Sequence, residues 1–311
     1  MTSAPTTVAG SVSRQGRPRP HRSSPIRSRI GLVFVSGYTL LLLAFGILPA
    51  LYALYLSLTT ADGSFAGVAN FAQVIRDYRF WPAAGHVGAY VVIWVISLVV
   101  IVVVLALVVH AIKVRWLSSA ARFIFYIPGA LAGASSVVLW IFVLDPAASP
   151  VGFLLNALGL HTFVQAISPA NLPVVFTIIA FWTGAGGWIV IMYGALNNIS
   201  SDVMEAARID GASAIQTAIH IQLPMMRKWI TYMVILSLAA GTQLFVEPQL
   251  VSQASIGVVG NDYSLNQLSY LYAFQQNNFN GSAALSILLL IVSLTLAAFF
   301  VARGGLFERE Q

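Results

Sequence analysis

The sequence predicts an all-α, polytopic membrane protein with six transmembrane helices. Composition is the first reason: 58% of the 311 residues are hydrophobic and only 8% charged, where a soluble domain carries about 25% charged residues. The mean hydropathy is +0.83. Six apolar stretches, at 30–57, 88–110, 123–144, 172–196, 229–249 and 283–302, supply the second reason. Each is long enough to cross roughly 30 Å of hydrocarbon as a helix. The stretch at 88–110 is rich in β-branched residues but lacks the alternation of a barrel strand. In lipid such a run satisfies its backbone hydrogen bonds internally only as a helix.

Basic residues set the expected orientation. The tail at 1–29 carries Arg14, Arg17, Arg19, Arg22, Arg27 and Arg29 and no acidic residue. Lys113, Arg115 and Arg122 follow the second stretch, Arg208, Arg227 and Lys228 the fourth, and Arg303 and Arg309 the sixth. Only Arg76 and Arg79 fall on the other side. Cationic loops stay in the cytoplasm, so both termini are expected there. The formal charge of +6 is then mostly a topology signal, and no nucleic-acid partner is expected. The proline-containing basic tail is expected to be disordered, and the apolar stretch behind it is too long for a cleaved leader.

The elements follow in order. Pro49 marks an expected kink in span one. Residues 59–87 mix aromatics with Arg76, Asp77 and Arg79 and suit a short interfacial helix. Span three opens on FYIPGALAG, where Gly129 and Gly133 have a GxxxG spacing that permits close helix approach. The loop 145–171 is rich in Pro, Gly and Ser. The loop 252–282 holds YSLNQLSYLYAFQQNNF, a polar external helix ending in a hinge. Span six is followed by a short tail at 307–311.

Few residues invite chemistry. There are no cysteines, which excludes disulfides and thiol catalysis. The histidines at 21, 86, 110, 161 and 220 are scattered, and none has a second ligand one helical turn away, so no metal site is expected. No phosphate-binding glycine loop ending in Gly-Lys is present. Glu247 is the exception to spans free of charge. It either supports a proton-coupled pathway or sits at the interface facing water.

One stretch, EAARIDGASAIQTAIHIQLP, stands apart from the hydrocarbon around it. Asp202 and Glu205 have the spacing of a capping box, so a helix is expected to start near Val203. Asp210-Gly211 reads as its end, because glycine accepts the left-handed conformation that closes a helix. A second helix is expected over 212–222, stopped by Pro224. The outcome is an elbow at 200–224, which is either an ordinary helical loop or a surface that another backbone approaches closely.

The residue order resembles something more specific. Glu205-Ala206-Ala207, then Gly211, then Ile221, Leu223 and Pro224 match the signature loop of importer-type ABC transporter permeases. RFIFYIP at 122–128, Trp140, Asp145-Pro146, GFLLN at 152–156 and YLYAFQQNNFNGSAALS at 270–286 are similar to the first permease of sugar and glycerophosphodiester importers. The likeness covers most of 30–306. His86-Val87 and VVGND at 258–262 depart from that pattern. The resemblance implies that Glu205, Ala206, Ala207, Asp210, Gly211, Ile221, Leu223 and Pro224 form a coupling helix docked on an ATPase. It implies partners: a second permease, two ATP-binding subunits that use ATP and Mg, an extracytoplasmic solute-binding protein and membrane lipid. It also implies that this chain binds no cofactor, catalyses nothing, and resides in the bacterial plasma (inner) membrane.

Sugars are held by hydrogen bonds and aromatic stacking. Trp182, Thr183, Asn197, Thr242, Gln243 and Glu247 are therefore candidates for the solute path, each also able to bond helix to helix instead. A phosphate-bearing solute calls for Arg or Lys, and none lies in spans four to six. A neutral or cationic carbohydrate is favoured, with Glu247 able to meet an amino group. A secondary carrier and a membrane-embedded enzyme are the competing classes. The first lacks buried ionisable groups, and the second lacks a nucleophile–base or metal constellation.

Overall fold

The computed structural model describes residues 35–131 and 133–303. The tails expected at 1–29 and 307–311, and the first residues of span one, lie outside the described residues. The chain divides into a unit ending at Leu51 and a second running from Tyr52 to Gln311. Helix α1 (Val35–Ser57) runs through that boundary, and its portion in the first unit contains a π turn at Leu43–Ile47.

The remaining helices, all in the second unit, are α2 (Ala69–Arg76), α3 (Phe80–Ala111), α4 (Arg115–Leu131) and α5 (Ala134–Leu144). Two short ones follow, α6 (Gly152–Ala157) and α7 (Phe163–Ala166). Then come α8 (Leu172–Asn197), α9 (Ser201–Ile209), α10 (Ala214–Gly241) and α11 (Val246–Ala254). The last are α12 (265–275) and α13 (Phe279–Arg303). No strand is present among the described residues. All-helical architecture is therefore borne out, but the count of continuous spans is not. Among the described residues four helices are long and apolar enough to cross a membrane, or up to six if each of two bent helix pairs is one span.

The first break has a local cause. In span three, α4 and α5 meet at 103°. Pro128 lies in a 3₁₀ turn at Ile127–Leu131, and Gly133 has φ +74°. Proline has no N–H to continue the α ladder, and only glycine turns the chain left-handed without strain. The GxxxG spacing thus serves a turn and an internal contact. A Cβ on Gly129 would lie 3.1 Å from the Thr183 carbonyl oxygen of α8. Span five breaks between α10 and α11 by 43°, across residues 242–245. Span two starts earlier than expected, at Phe80, so His86 lies inside a helix instead of before one. Spans four and six keep their expected positions to within a few residues.

Helix α8 is the hub. It lies against α3, α4, α5 and α10, and its Phe176, Ile179, Ile189, Met192 and Leu196 are almost fully buried. Between apolar helices in lipid, close packing is the main attraction, so small residues at the contact matter. Gly186 is the clearest case: a Cβ there would stand 2.0 Å from the Phe125 carbonyl oxygen of α4. A second cluster joins Val74 of α2, Ala83 of α3, Leu268 and Tyr272 of α12 and Leu285 of α13.

Polar bonds tie the loops at this end. Asn70 Nδ2 donates to the carbonyls of Ser57 (3.0 Å) and Thr59 (2.8 Å). Asn280 Nδ2 donates to those of Leu56 (3.0 Å) and Thr59 (2.8 Å). The exit of α1 is thereby held by both α2 and α13, and exposed carbonyls at a helix end find the partners they need. Asp77 accepts from Arg79 at 3.0 and 2.7 Å and from the Tyr272 hydroxyl at 2.5 Å. Arg79 and then Tyr272 hold its carboxyl well below the ordinary carboxylate range.

Candidate functional site

The elbow is built by two sets of caps. Ser200 is extended at φ −61°, ψ 144°, and its hydroxyl accepts from the Val203 N–H. The cap is therefore Ser200, not Asp202, because a cap bonds three residues ahead from outside the helix. Asp202 sits instead in the first turn, where its charge suits the helix N-terminus. At the other end, Gly211 has φ +74°. The Gly211 N–H donates to the Arg208 carbonyl at 3.1 Å and the Ala212 N–H to the Ala207 carbonyl at 2.9 Å. These two crossed bonds make a Schellman closure. The second helix opens on a full capping box between Ser213 and Gln216.

Pro224 does not stop that helix. A π turn at Ala218–Gln222 widens the ladder just before it, with the Leu223 N–H reaching the Ala218 carbonyl. Proline tolerates the following first-turn position, and α10 continues to Gly241. The second half of the elbow and the first part of span five are thus one element, 214–241.

Most elbow residues face outwards. Glu205, Ala206, Asp210 and Gly211 are exposed, Ile221 and Leu223 are half-buried, Pro224 is exposed, and only Ala207 among the signature residues is buried. Ile209 is 85% exposed and Ile215 72%. The elbow thus exposes one large apolar side chain on each side of Gly211.

The path candidates separate. Thr242, at the end of α10, bonds the Ser293 hydroxyl of α13 at 2.8 Å and its own Ala239 carbonyl at 2.9 Å. Its carbonyl accepts from Asn266 Nδ2 at 3.1 Å. These contacts fix the break between α10 and α11. Thr183 and Asn197 bond carbonyls of their own helix. Trp182 meets Trp140 of α5 edge to face, with centroids 5.9 Å apart. Gln243 is exposed and Glu247 half-buried, and Glu247 lies within electrostatic reach of Tyr90.

Several residues near these candidates were not among the path residues that the sequence suggested. Tyr90 and Trp94 stack on α3 at 5.8 Å, and a Cβ on Gly241 would touch the Trp94 ring at 3.1 Å. The indole N–H groups of Trp94 and Trp140 and the Ser237 hydroxyl are buried without a hydrogen-bond partner among the described residues. Buried polar groups are ordinarily paired, so these are donors that a hydroxylated guest or water can satisfy. The Tyr90–Trp94 spacing of one turn was the only available hint.

The described residues thus form an all-helical array, with several helices long and apolar enough to cross a membrane and a capped elbow leading into a bent helix pair. Residues 111–304 match the family described as binding-protein-dependent transport system inner membrane component, and the chain belongs to that family. It is an ABC importer permease, a transport component and not an enzyme. Relatives include the probable ABC transporter permease protein YurN of Bacillus subtilis (strain 168), 26% identical, with 83% of this chain and 90% of that one aligned. The multiple sugar-binding transport system permease protein MsmF of Streptococcus mutans is 26% identical over 84% and 90%. The diacetylchitobiose uptake system permease protein NgcF of Streptomyces coelicolor is 27% identical over 94% and 88%. Among solved structures, a bacterial ABC transporter for import of the acidic polysaccharide alginate superposes with TM-score 0.79. The alignment covers 91% of this chain and 98% of that one at 17% identity, which is likeness of fold.

Proposed function

We propose that this chain forms half of the pore of an ATP-driven importer of a carbohydrate in the bacterial inner membrane. The elbow carries the reading: the short helix α9 and the separately capped start of the long helix α10 meet about Gly211, exposing Ile209 and Ile215. In this reading residues 30–306 form the transmembrane domain, with six spans, both tails cytoplasmic and the elbow at 200–224 on the same side. Glu205, Ala206, Ala207, Asp210, Gly211, Ile221, Leu223 and Pro224 make or shape the contact with an ATPase. Glu205 offers its carboxylate to a basic groove residue there.

A second, related permease completes the pore, two ATPases use ATP and Mg below it, and a solute-binding protein delivers from outside. The chain itself holds no cofactor. Closure of the ATPase pair moves the elbow, and α10 carries the movement to the break at 242–245. This is a hinge-type switch between inward- and outward-facing states. Trp182, Thr183, Asn197, Gln243 and Glu247 lie along the path, with Thr242 holding its hinge. Relatives named for sugars support the solute class, and so does the lack of Lys or Arg in spans four to six.

The decisive experiment is uptake by the purified complex in vesicles. ATP-dependent sugar accumulation that ignores ionophores is expected. Accumulation abolished by collapsing the ion gradient would instead mark a secondary carrier.

A further inference from the structure

One cleft belongs to neither the elbow nor the membrane path. It opens beside Leu172, at the opposite end of α8 from the elbow, with a volume of about 260 Å³. Pro82, Leu172 and Val259 line its apolar side, and Tyr78, Arg79, His86 and Asp262 supply the polar side. We propose that this cleft is a second carbohydrate subsite, which takes one ring of a neutral sugar before that sugar reaches the membrane path. The proposal rests on the carbohydrate reading above.

The polar groups are fixed in place and left with bonding capacity. Arg79 is pinned by two bonds to Asp77, which occupy two of the five guanidinium N–H groups. Its plane lies by the rings of Tyr78 and Tyr272, 5.6 and 5.7 Å from their centroids. The His86 ring stacks on Tyr263 at 4.2 Å, and its Nδ1 meets the Tyr263 carbonyl at 3.1 Å. That leaves Nε2 for a guest. The Asp262 carboxylate folds back so closely that a Cβ on Gly260 would meet it at 2.5 Å. The Tyr263 hydroxyl is buried without a hydrogen-bond partner among the described residues. Tyr78 is 84% exposed, a free aromatic face for the C–H side of a pyranose.

Size and charge choose the guest. Pockets for drug-sized ligands span roughly 300–1,000 Å³, so this smaller cleft suits a single ring. Arg79 is already neutralised by Asp77, and Asp262 adds an uncompensated carboxylate. A uronate ring would face like charge. A neutral ring would find fixed donors and acceptors for hydroxyls that serve as both.

The test uses the full-length chain in lipid nanodiscs and saturation-transfer-difference NMR. The probes are maltose, lactose and N,N′-diacetylchitobiose, with an alginate disaccharide as the anionic competitor. At least one neutral probe should receive saturation, and Tyr78→Ala and Asp262→Ala should each weaken its Kd by about tenfold. The alginate disaccharide should not compete. The proposal is overturned if no neutral probe binds, if both variants bind as the parent does, or if the uronate competes equally. Uptake by the intact importer separates the two readings. Sugar uptake by a complex whose cleft variants bind normally removes only the cleft, whereas a parent complex that imports no sugar removes the carbohydrate reading too.

Discussion

Gly211 concentrates the demands made on a single residue. At φ +74° a side chain costs roughly 1 kcal/mol, and its N–H is one of the two bonds that close α9. Gly211→Asp should insert and assemble yet import about tenfold more slowly at unchanged ATP hydrolysis, within ordinary coupling energies. Import at the parent rate in an intact complex would remove the elbow from the mechanism. Ser200→Ala should cost about 1 kcal/mol through the lost cap, read as a lower melting temperature in detergent, whereas Asp202→Ala should cost much less. Asp77 gives a pH signature. Its folded pKa is depressed by Arg79, so its stabilisation is present above about pH 4, the usual carboxylate value, and is lost as pH falls below that. Tyr272 is pushed up to about 12, chiefly by burial and then by Asp77. Its share holds below about pH 10 and disappears between there and 12. Thermal unfolding against pH should show both limbs, and Asp77→Asn should flatten the acid one.

At the scale of elements, the contact between α4 and α8 is the least forgiving. Gly186→Val would place a Cβ 2.0 Å from the Phe125 carbonyl oxygen, far inside van der Waals contact, so the helices must separate. That variant should fail to yield a monodisperse protein on gel filtration, while Gly187→Ala, where a Cβ meets open space, should behave as the parent. The sequence made long apolar helices legible because lipid leaves an uncharged run few alternatives. It made the elbow legible because Asp210-Gly211 marks a chain reversal, although the cap fell on Ser200 and not on Asp202. Breaks in spans three and five were harder to read. Pro128 and Gly133 were visible, but both are tolerated within membrane helices. The break at 242–245 depends on tertiary bonds from Thr242 to Ser293 and Asn266, which no local pattern announces. The same holds for Trp94 and Ser237, which become candidates only when Gly241 brings α10 against α3.

For the whole molecule, chemistry of the path and geometry of the elbow have to meet in one transport cycle. Glu247→Gln should leave uptake of a neutral sugar nearly unchanged and reduce that of an amino sugar, measured as competition between the two in vesicles. Equal loss for both would make the carboxylate structural. The π turn at 218–222 sets a further rule, one of length. An α ladder needs one residue fewer to span the same rise, so the interval between Gly211 and Pro224 contains a residue that is surplus to helix building. Deleting one residue there would let the ladder close as an α-helix, but the carbonyl four positions before Pro224 would then face a ring without an N–H. The interval and its proline are thus matched to each other. A chain that lengthens or shortens this stretch has to change the proline as well, and tolerance of single-residue deletions should rise when Pro224 is replaced by alanine.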